Sequence, residues 1–216
     1  VMISILNMKL KSDYAIFEIG TNNFNEIREL TKLVKPSQIF ITNILSTHLE
    51  NFKNMKNIAI EKSDIFRKKY NSFAKILYFQ KISKEEELIH KIAKKEKLKK
   101  IITIGKKGNE CYIKRINKLK SKYEIIINIY SKKYKIHLDE YEEKNIFNLI
   151  FVLTFFITNK INTKKIINNN FKVPKIEGRG SIHNLSLNKF KIRLIDQSYN
   201  ANPETMIECI KNFSGI

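Results

Sequence analysis

The sequence predicts an α/β fold in which a mostly parallel sheet is flanked by helices and joined by a small antiparallel sheet. Short apolar runs alternate with segments of helical periodicity, which is typical of strands buried on both faces of a parallel sheet. Residues 111–138 then change to an alternating apolar and polar pattern, which is typical of antiparallel strands. The chain has 216 residues, enough for one large domain and part of a second.

A βαβ unit is predicted at the start of the chain. Residues 14–19 form a near-continuous apolar run, which predicts a buried strand, and Gly20 ends it. The next helix is predicted to stop at Pro36, and residues 38–44 form a second buried strand. That helix is recognised by residues at helical spacing, namely Phe24, Ile27, Leu30, Thr31 and Val34. A strand, a helix and a strand in this order predict a parallel sheet.

Two further helix–strand pairs follow. The pattern predicts a helix over about residues 55–70, a short strand over 76–79, a charged helix over about 84–99 and a strand over 101–105. The inner stripe of the first helix contains a lysine and reads Met55, Ile58, Lys62, Ile65 and Phe66. Residues 111–138 are expected to form two or three antiparallel strands.

A buried helix over about residues 144–158 is predicted near the end of the first domain. Its apolar stretch is too short to span a bilayer, so a core helix is the better interpretation. Residues 168–174 then form a connection. We therefore predict one domain over 1–172 and the truncated start of another over 173–216, because one strand and one helix cannot close a core.

The second domain is predicted to begin with an extended stretch over 181–187 and a strand over 191–195. A loop leads from the strand into a final helix. Asn202 is a natural N-cap for this helix, and Pro203 suits its first position.

The composition favours a cytoplasmic protein. Cys111 and Cys209 are far apart and lack metal-ligand spacing, which argues against a disulfide scaffold or a zinc site. The apolar start lacks a basic leader and a cleavage site, so no signal peptide is predicted. The formal net charge of +20 is typical of nucleic-acid partners. However, Lys, Ile and Asn are all abundant, as in an AT-rich genome, and no nucleic-acid motif is present. We therefore predict neither a specific nucleic-acid partner nor a membrane.

Glu18 and His48 follow the first two predicted strands. Ligands of open α/β sheets bind outside the carboxyl ends of the strands, so both side chains could reach one edge of the sheet and bind a metal there. A solvent-facing or ion-paired Glu18 and a structural His48 are the alternatives.

Lys62 lies on the apolar stripe of its predicted helix. Lysines are rarely buried without a purpose, and loss of hydration would lower the pKa of the amine. The alternative is a buried stem with its ammonium in water.

Arg179 and Asp196 are candidates for nucleotide contacts. Arg179 lies between two glycines and could meet a phosphate, or it could be a linker charge. Asp196 ends a predicted strand, where a carboxylate could bind a ribose hydroxyl. The phosphate-loop pattern G-x-x-x-x-G-K-S/T occurs nowhere in the 216 residues.

Six segments resemble the Mur ligases, a family of ATP-dependent amide ligases, in the same order and spacing. The first two segments resemble the family patterns E-L/M-G-A-N-H-x-G-E-I and H-L-E-x-F. The third segment resembles A-K-x-E-I-F. A fourth resembles a helix start, a fifth a G-R pair, and the most specific resembles I-D-D-x-Y-N-A-N-P. The segments are residues 17–27, 42–52, 61–66, 145–148, 178–179 and 195–203.

The resemblance implies a role for each candidate residue. Glu18 and His48 resemble ligands of Mg²⁺, and Lys62 resembles a lysine that is carbamylated and then binds the metal, which makes it the expected catalytic residue. The expected ATP contacts are Asn145, Asn148, Arg179 and Asp196. The implied fold is a Mur ligase central domain followed by the first strand and helix of a Rossmann-like C-terminal domain.

The resemblance also implies a reaction. In the branch of the family that fits best, ATP phosphorylates UDP-N-acetylmuramoyl-tripeptide. The amine of D-alanyl-D-alanine then attacks the acyl phosphate, in the synthesis of the peptidoglycan precursor. Such a ligase is expected to be a cytoplasmic monomer when full length.

Departures from the family pattern bear on whether the chain is an active ligase. Lys144 stands where the family has His, and Gln197 where it has Asp. The family's phosphate loop aligns upstream of Val1, so these 216 residues are expected to be inactive alone. Two alternatives stay open, a basic binding protein on a degenerate ligase scaffold and one half of a split ligase.

Overall fold

A computed structural model describes residues 1–9, 11–120, 122–138, 143–163, 167, 176–188, 190–199, 201 and 203–213. The chain divides into two compact units, each taken by itself below. The first comprises residues 1–44 and 48–171, and the second comprises residues 45–47 and 172–216. The predicted domain boundary at 172–173 lies outside the described residues and stays a prediction.

The first unit contains six helices and six strands among its described residues. The helices are α1 (Met2–Leu6), α2 (Glu26–Val34), α3 (Leu49–Phe52), α4 (Met55–Ser63), α5 (Lys84–Lys95) and α6 (Glu143–Thr158). A short 3₁₀ helix, Asp64–Phe66, continues α4. The strands are β1 (Gln38–Ile41), β2 (Ile76–Lys81), β3 (Lys100–Gly105), β4 (Cys111–Lys118), β5 (Tyr123–Ile129) and β6 (Lys132–Leu138).

All six strands form one sheet in the order β1-β2-β3-β4-β5-β6. Strands β1 to β4 are parallel to their neighbours, whereas β4, β5 and β6 pair antiparallel. The predicted α/β fold is therefore confirmed. The predicted antiparallel strands of 111–138 are also present. They are not a separate sheet, because Cys111 pairs with Ile104 and joins β4 to the parallel strands.

The sheet is covered on both faces. Leu77 and Phe79 of β2 pack in one core cluster with residues of α4 and α5. Tyr78, between them, packs in a second cluster with residues of α6. Successive side chains of a strand point to opposite faces, so α4 and α5 cover one face and α6 covers the other. The continuous apolar run of β2 thus predicted its double burial correctly.

The predicted strand over residues 14–19 is not present. The segment has no assigned strand, and Ile16 is 90% exposed. Tyr14 packs edge-on against Phe155 of α6, with ring centroids 5.5 Å apart, so the segment begins beside the sheet. A strand also needs a partner for its backbone hydrogen bonds. Within the described residues, β1 pairs only with β2.

The second unit contains a hairpin and a helix among its described residues. Strands β7 (Ser181–Leu187) and β8 (Phe190–Asp196) pair antiparallel, and α7 spans Pro203–Phe213. The predicted start of this helix at Pro203 is confirmed. The N-cap predicted at Asn202 and the connection predicted at 168–174 lie outside the described residues. Within the described part of the chain, no helix combines the length and the apolar character needed to cross a membrane.

Candidate metal and nucleotide site

Lys62 lies on α4, as predicted, and its amine turns toward the carboxyl end of β1. The side chain is half-buried, and its Nζ donates a hydrogen bond to the Asn43 carbonyl oxygen at 3.1 Å. Asn43 follows β1 by two residues. Burial lowers the pKa of Lys62. No carboxylate opposes this effect, because loss of hydration is the one cause of the shift. The amine is therefore easier to deprotonate than an exposed lysine.

His48 occupies an unusual backbone position directly before α3. Its φ is 55°, in the left-handed region that few residues other than glycine adopt. The imidazole is exposed, and its Nδ1 lies 3.7 Å from a carboxylate oxygen of Glu50. Seven other described residues besides glycine also have a positive φ, so this backbone conformation by itself does not single out His48.

Glu18 lies in the extended segment before α2, and its side chain is exposed. A side-chain amide links this segment to α3, because Asn51 Nδ2 donates to the Asn22 carbonyl oxygen at 2.8 Å. The ring of Phe24 packs edge-on against Phe52 with centroids 5.1 Å apart. The chain segments that carry Glu18 and His48 are thus joined by direct contacts.

A magnesium ion suits the chemistry of this donor set under one condition. Within the described residues, no three His, Cys, Asp or Glu side chains form a metal-binding group. Glu18 and His48 would therefore need a third ligand. The lowered pKa of Lys62 favours its neutral amine, and a carbamate formed on that amine would add an oxygen ligand. With a carbamate on Lys62, the donor set would offer Mg²⁺ carboxylate-type oxygens beside the imidazole of His48.

Glu61 is a buried residue of this region that sequence reasoning missed. It precedes Lys62 on α4 and is only 2% exposed. Its carboxylate accepts hydrogen bonds from the backbone amides of Asn25 and Ile27, at 2.9 and 3.0 Å. Periodicity alone does not predict its burial, because a glutamate near the end of a helix is usually solvated.

Arg179 and Asp196 come together in the second unit. The Gly180 amide donates to the Asp196 carbonyl oxygen at 2.8 Å, where β7 and β8 pair. The Arg179 guanidinium lies over the ring of Tyr199, 4.7 Å from its centroid. Hydrogen bonds from the side chain and then the backbone of Ser198 lower the pKa of Asp196. The hairpin therefore brings the backbone of the Arg179–Gly180 turn to Asp196, while the Arg179 guanidinium lies over Tyr199.

The two asparagines predicted to contact adenine lie on α6. Asn148 is exposed in the first half of that helix. The backbone of Asn145 is helical, whereas its side chain lies outside the described part of the structure. Because α6 and α4 cover opposite faces of the sheet, Asn148 and Lys62 are not brought onto one face.

The fold and the similarity to known proteins define a class of protein. Residues 1–156 match the model of the Mur ligase middle domain, and the chain belongs to the Mur ligase family. Within that family it is most like MurF. The curated relatives below are named UDP-N-acetylmuramoyl-tripeptide--D-alanyl-D-alanine ligase.

The relative from Buchnera aphidicola subsp. Baizongia pistaciae is 30% identical over 230 residues, which cover 100% of this chain and 46% of that protein. The relative from Rickettsia prowazekii is 41% identical over 66 residues, which cover 31% of this chain and 15% of that protein. The chain thus spans about half the length of a curated relative that matches it from end to end.

Solved structures show the same fold. MurF from Acinetobacter baumannii superimposes with a TM-score of 0.77 at 21% identity, covering 94% of this chain and 43% of that one. The MurF ligase from Thermotoga maritima in complex with ADP superimposes with a TM-score of 0.71 at 18% identity, covering 92% of this chain and 45% of that one. The apo form of L. casei FPGS superimposes with a TM-score of 0.62 at 10% identity, covering 85% of this chain and 43% of that one.

Proposed function

We propose that the chain is part of an ATP-dependent ligase that joins D-alanyl-D-alanine to UDP-N-acetylmuramoyl-tripeptide in the cytoplasm. The names of its curated relatives support this assignment. The observation that carries it is the half-buried Lys62, whose amine bonds to the Asn43 carbonyl and has a lowered pKa. A lysine placed in this way suits a carbamate better than a surface ion pair.

The carbamate forms from a neutral amine and carbon dioxide. The Lys62 nitrogen lone pair attacks the carbon atom, a new N–C bond forms, and one C=O electron pair moves onto oxygen. The nitrogen then loses a proton to solvent. The product is an anion with two oxygen atoms in place of a cation. Burial of the amine favours the first step, because only the deprotonated form has the lone pair.

Glu18, His48 and the Lys62 carbamate would then hold Mg²⁺. The bound ion would supply charge neutralisation for nucleotide phosphates. Glu18 contributes a carboxylate from an exposed loop, and His48 contributes an imidazole from the residue before α3. The His48 side chain is exposed, so a ligand from solvent can reach it.

The second unit would contact the nucleotide. Arg179 would bind a phosphate, and Asp196, with its lowered pKa, would accept a hydrogen bond from a ribose hydroxyl. Asn145 and Asn148 would contact adenine. We further propose that the 216 residues release no ADP by themselves, because they contain no phosphate-loop pattern. ADP release that requires both the tripeptide and D-alanyl-D-alanine would overturn that part.

The experiment that tests the site is NMR of the whole chain in ¹³C-labelled bicarbonate. We expect one carbamate carbonyl resonance, which Lys62→Arg removes because arginine keeps the charge but stays protonated. The matched control is Lys56→Arg, an exposed lysine on the same helix, and it should leave the resonance unchanged. A wild-type chain without the resonance would overturn the proposal.

A further inference from the structure

Among the described residues, the buried carboxylate of Glu61 has two hydrogen-bond partners, and both are backbone amides. Its two oxygens accept the amides of Asn25 and Ile27 separately, from 36 and 34 positions away in sequence. Burying an ionised carboxylate is costly unless its oxygens are hydrogen-bonded. Both donors lie at the start of α2, where backbone amides lack intrahelical partners and the helix dipole favours an anion.

Glu61 replaces a local cap for α2. Asn25 is the N-cap residue, but its side chain makes no capping hydrogen bond, and its φ is 74°. The Glu61 carboxylate on α4 therefore accepts the hydrogen bonds that an N-cap side chain usually accepts. The start of α2, and the loop leading into it from Glu18, consequently depend on the position of α4.

The same loop is held from α3. Asn51 Nδ2 bonds to the Asn22 carbonyl, and Phe52 packs against Phe24. The loop between Glu18 and α2 is thus fixed from α3, which follows His48, and from α4, which carries Lys62. Glu61 is the buried contact on the α4 side.

Glu61 and Lys62 are consecutive on α4, so their side chains leave the helix about 100° apart. Glu61 points to α2, while Lys62 points to the Asn43 carbonyl. A helix held at one side chain cannot rotate about its axis without breaking that contact. We propose that Glu61 is a positioning residue, which fixes the rotation of α4 and thereby directs the Lys62 amine toward the Asn43 carbonyl at the carboxyl end of β1. This inference rests on the proposed function of Lys62.

The test compares Glu61→Gln with Glu86→Gln in the whole chain. Glu86 is the control, because it is also buried and accepts two backbone amides at the start of α5, but both amides, those of Ile82 and Ser83, reach a single oxygen, Oε2. Glutamine is isosteric with glutamate but presents one oxygen instead of two. The measurements are the equilibrium constant for carbamate formation in ¹³C-labelled bicarbonate and the urea midpoint of each variant.

We expect Glu61→Gln to lower the carbamate equilibrium constant by about tenfold, equivalent to one lost hydrogen bond. Glu86→Gln can keep both of its hydrogen bonds through the oxygen that glutamine retains, so it should leave the urea midpoint and the carbamate constant close to those of wild type. If Glu61→Gln forms carbamate as well as wild type, or if both variants lose it equally, the positioning role is overturned. If the wild-type chain forms no carbamate, the proposed function is overturned as well. Failure of the proposed function is thus distinguished from failure of the positioning role alone.

A measurement on the wild-type chain covers the case in which Glu61→Gln does not fold. A scalar coupling through the hydrogen bond, between the Ile27 amide nitrogen and the Glu61 carboxyl carbon, reports this contact directly. We expect the coupling to be detectable. Its absence, together with fast exchange of the Ile27 amide, would overturn the proposal.

Discussion

The Lys62 ammonium donates to the Asn43 carbonyl oxygen at 3.1 Å, and this bond joins α4 to the segment after β1. A carbonyl offers the lysine a partial charge but no counter-ion. Lys62 therefore loses hydration without gaining an ion pair, which is unfavourable for folding. A residue that destabilises the fold in this way is a candidate for a functional role.

Replacing Lys62 by methionine should stabilise the first unit near neutral pH. Burial lowers the pKa of Lys62, so the cost is fully present below the folded pKa and disappears as pH rises through the unfolded value of about 10.4. The urea midpoint of Lys62→Met should therefore exceed that of wild type at pH 7, with a smaller difference near pH 10. Lys56→Met is the exposed control. A lower midpoint for Lys62→Met at pH 7 would contradict this account.

Tyr78 should make the fold sensitive to alkaline pH. The phenol donates to Gln38 Oε1 at 2.8 Å, and burial raises its pKa to about 12. A raised folded pKa gives stability that is present below the unfolded value of about 10 and is lost as pH rises through 12. The loss should reach roughly 2 to 3 kcal/mol.

Tyr78→Phe isolates this effect from the lysines, which titrate alike in both proteins. It should be less stable at pH 7 by about 1 kcal/mol, because Gln38 loses a donor. Its stability should then fall less than that of wild type between pH 10 and 12. If the urea midpoints of the two proteins changed equally with pH, the raised pKa of Tyr78 would be contradicted.

Gly178→Ala should loosen the hairpin that carries the candidate phosphate contact. Gly178 has a φ of +74°, and an added Cβ would lie 2.9 Å from the Cβ of Tyr199. The left-handed backbone costs a non-glycine residue roughly 1 to 2 kcal/mol, and the overlap adds to it. Amides of β7 and β8 should exchange faster with solvent. Gly20→Ala is the control, because nothing lies within 4 Å of its Cβ position; equal exchange rates in both variants would refute the strain.

Thiol labelling should distinguish the two cysteines. Cys111 is buried, Thr154 donates to its sulfur at 3.4 Å, and burial raises the pKa of the thiol. Cys209, on α7, is partly exposed. Iodoacetamide should modify Cys209 in the native chain and reach Cys111 only in denaturant. Rapid native labelling of Cys209→Ser would show that Cys111 is accessible.

Much of the fold could be read from periodicity. The helix that starts at Pro203, the buried strand β2 and the apolar helix α6 are recognisable because each has a local pattern and a local cap or breaker. Residues 14–19 have an equally apolar pattern and no assigned strand. The apolar pattern indicates which side chains are buried. A strand also needs a neighbouring strand for its backbone hydrogen bonds, and the pattern does not predict which one.

The sequence by itself determined the fold class, the run of helices and strands from α4 to α6, and the unusual position of Lys62 on an apolar stripe. Only the tertiary structure decided what surrounds that lysine. The Asn43 carbonyl, the amides of α2 that hold Glu61, and the joining of β3 to β4 all involve residues brought together by folding. Local sequence fixes periodicity over a few residues, but a buried polar group is satisfied by whichever distant atom the packing places beside it.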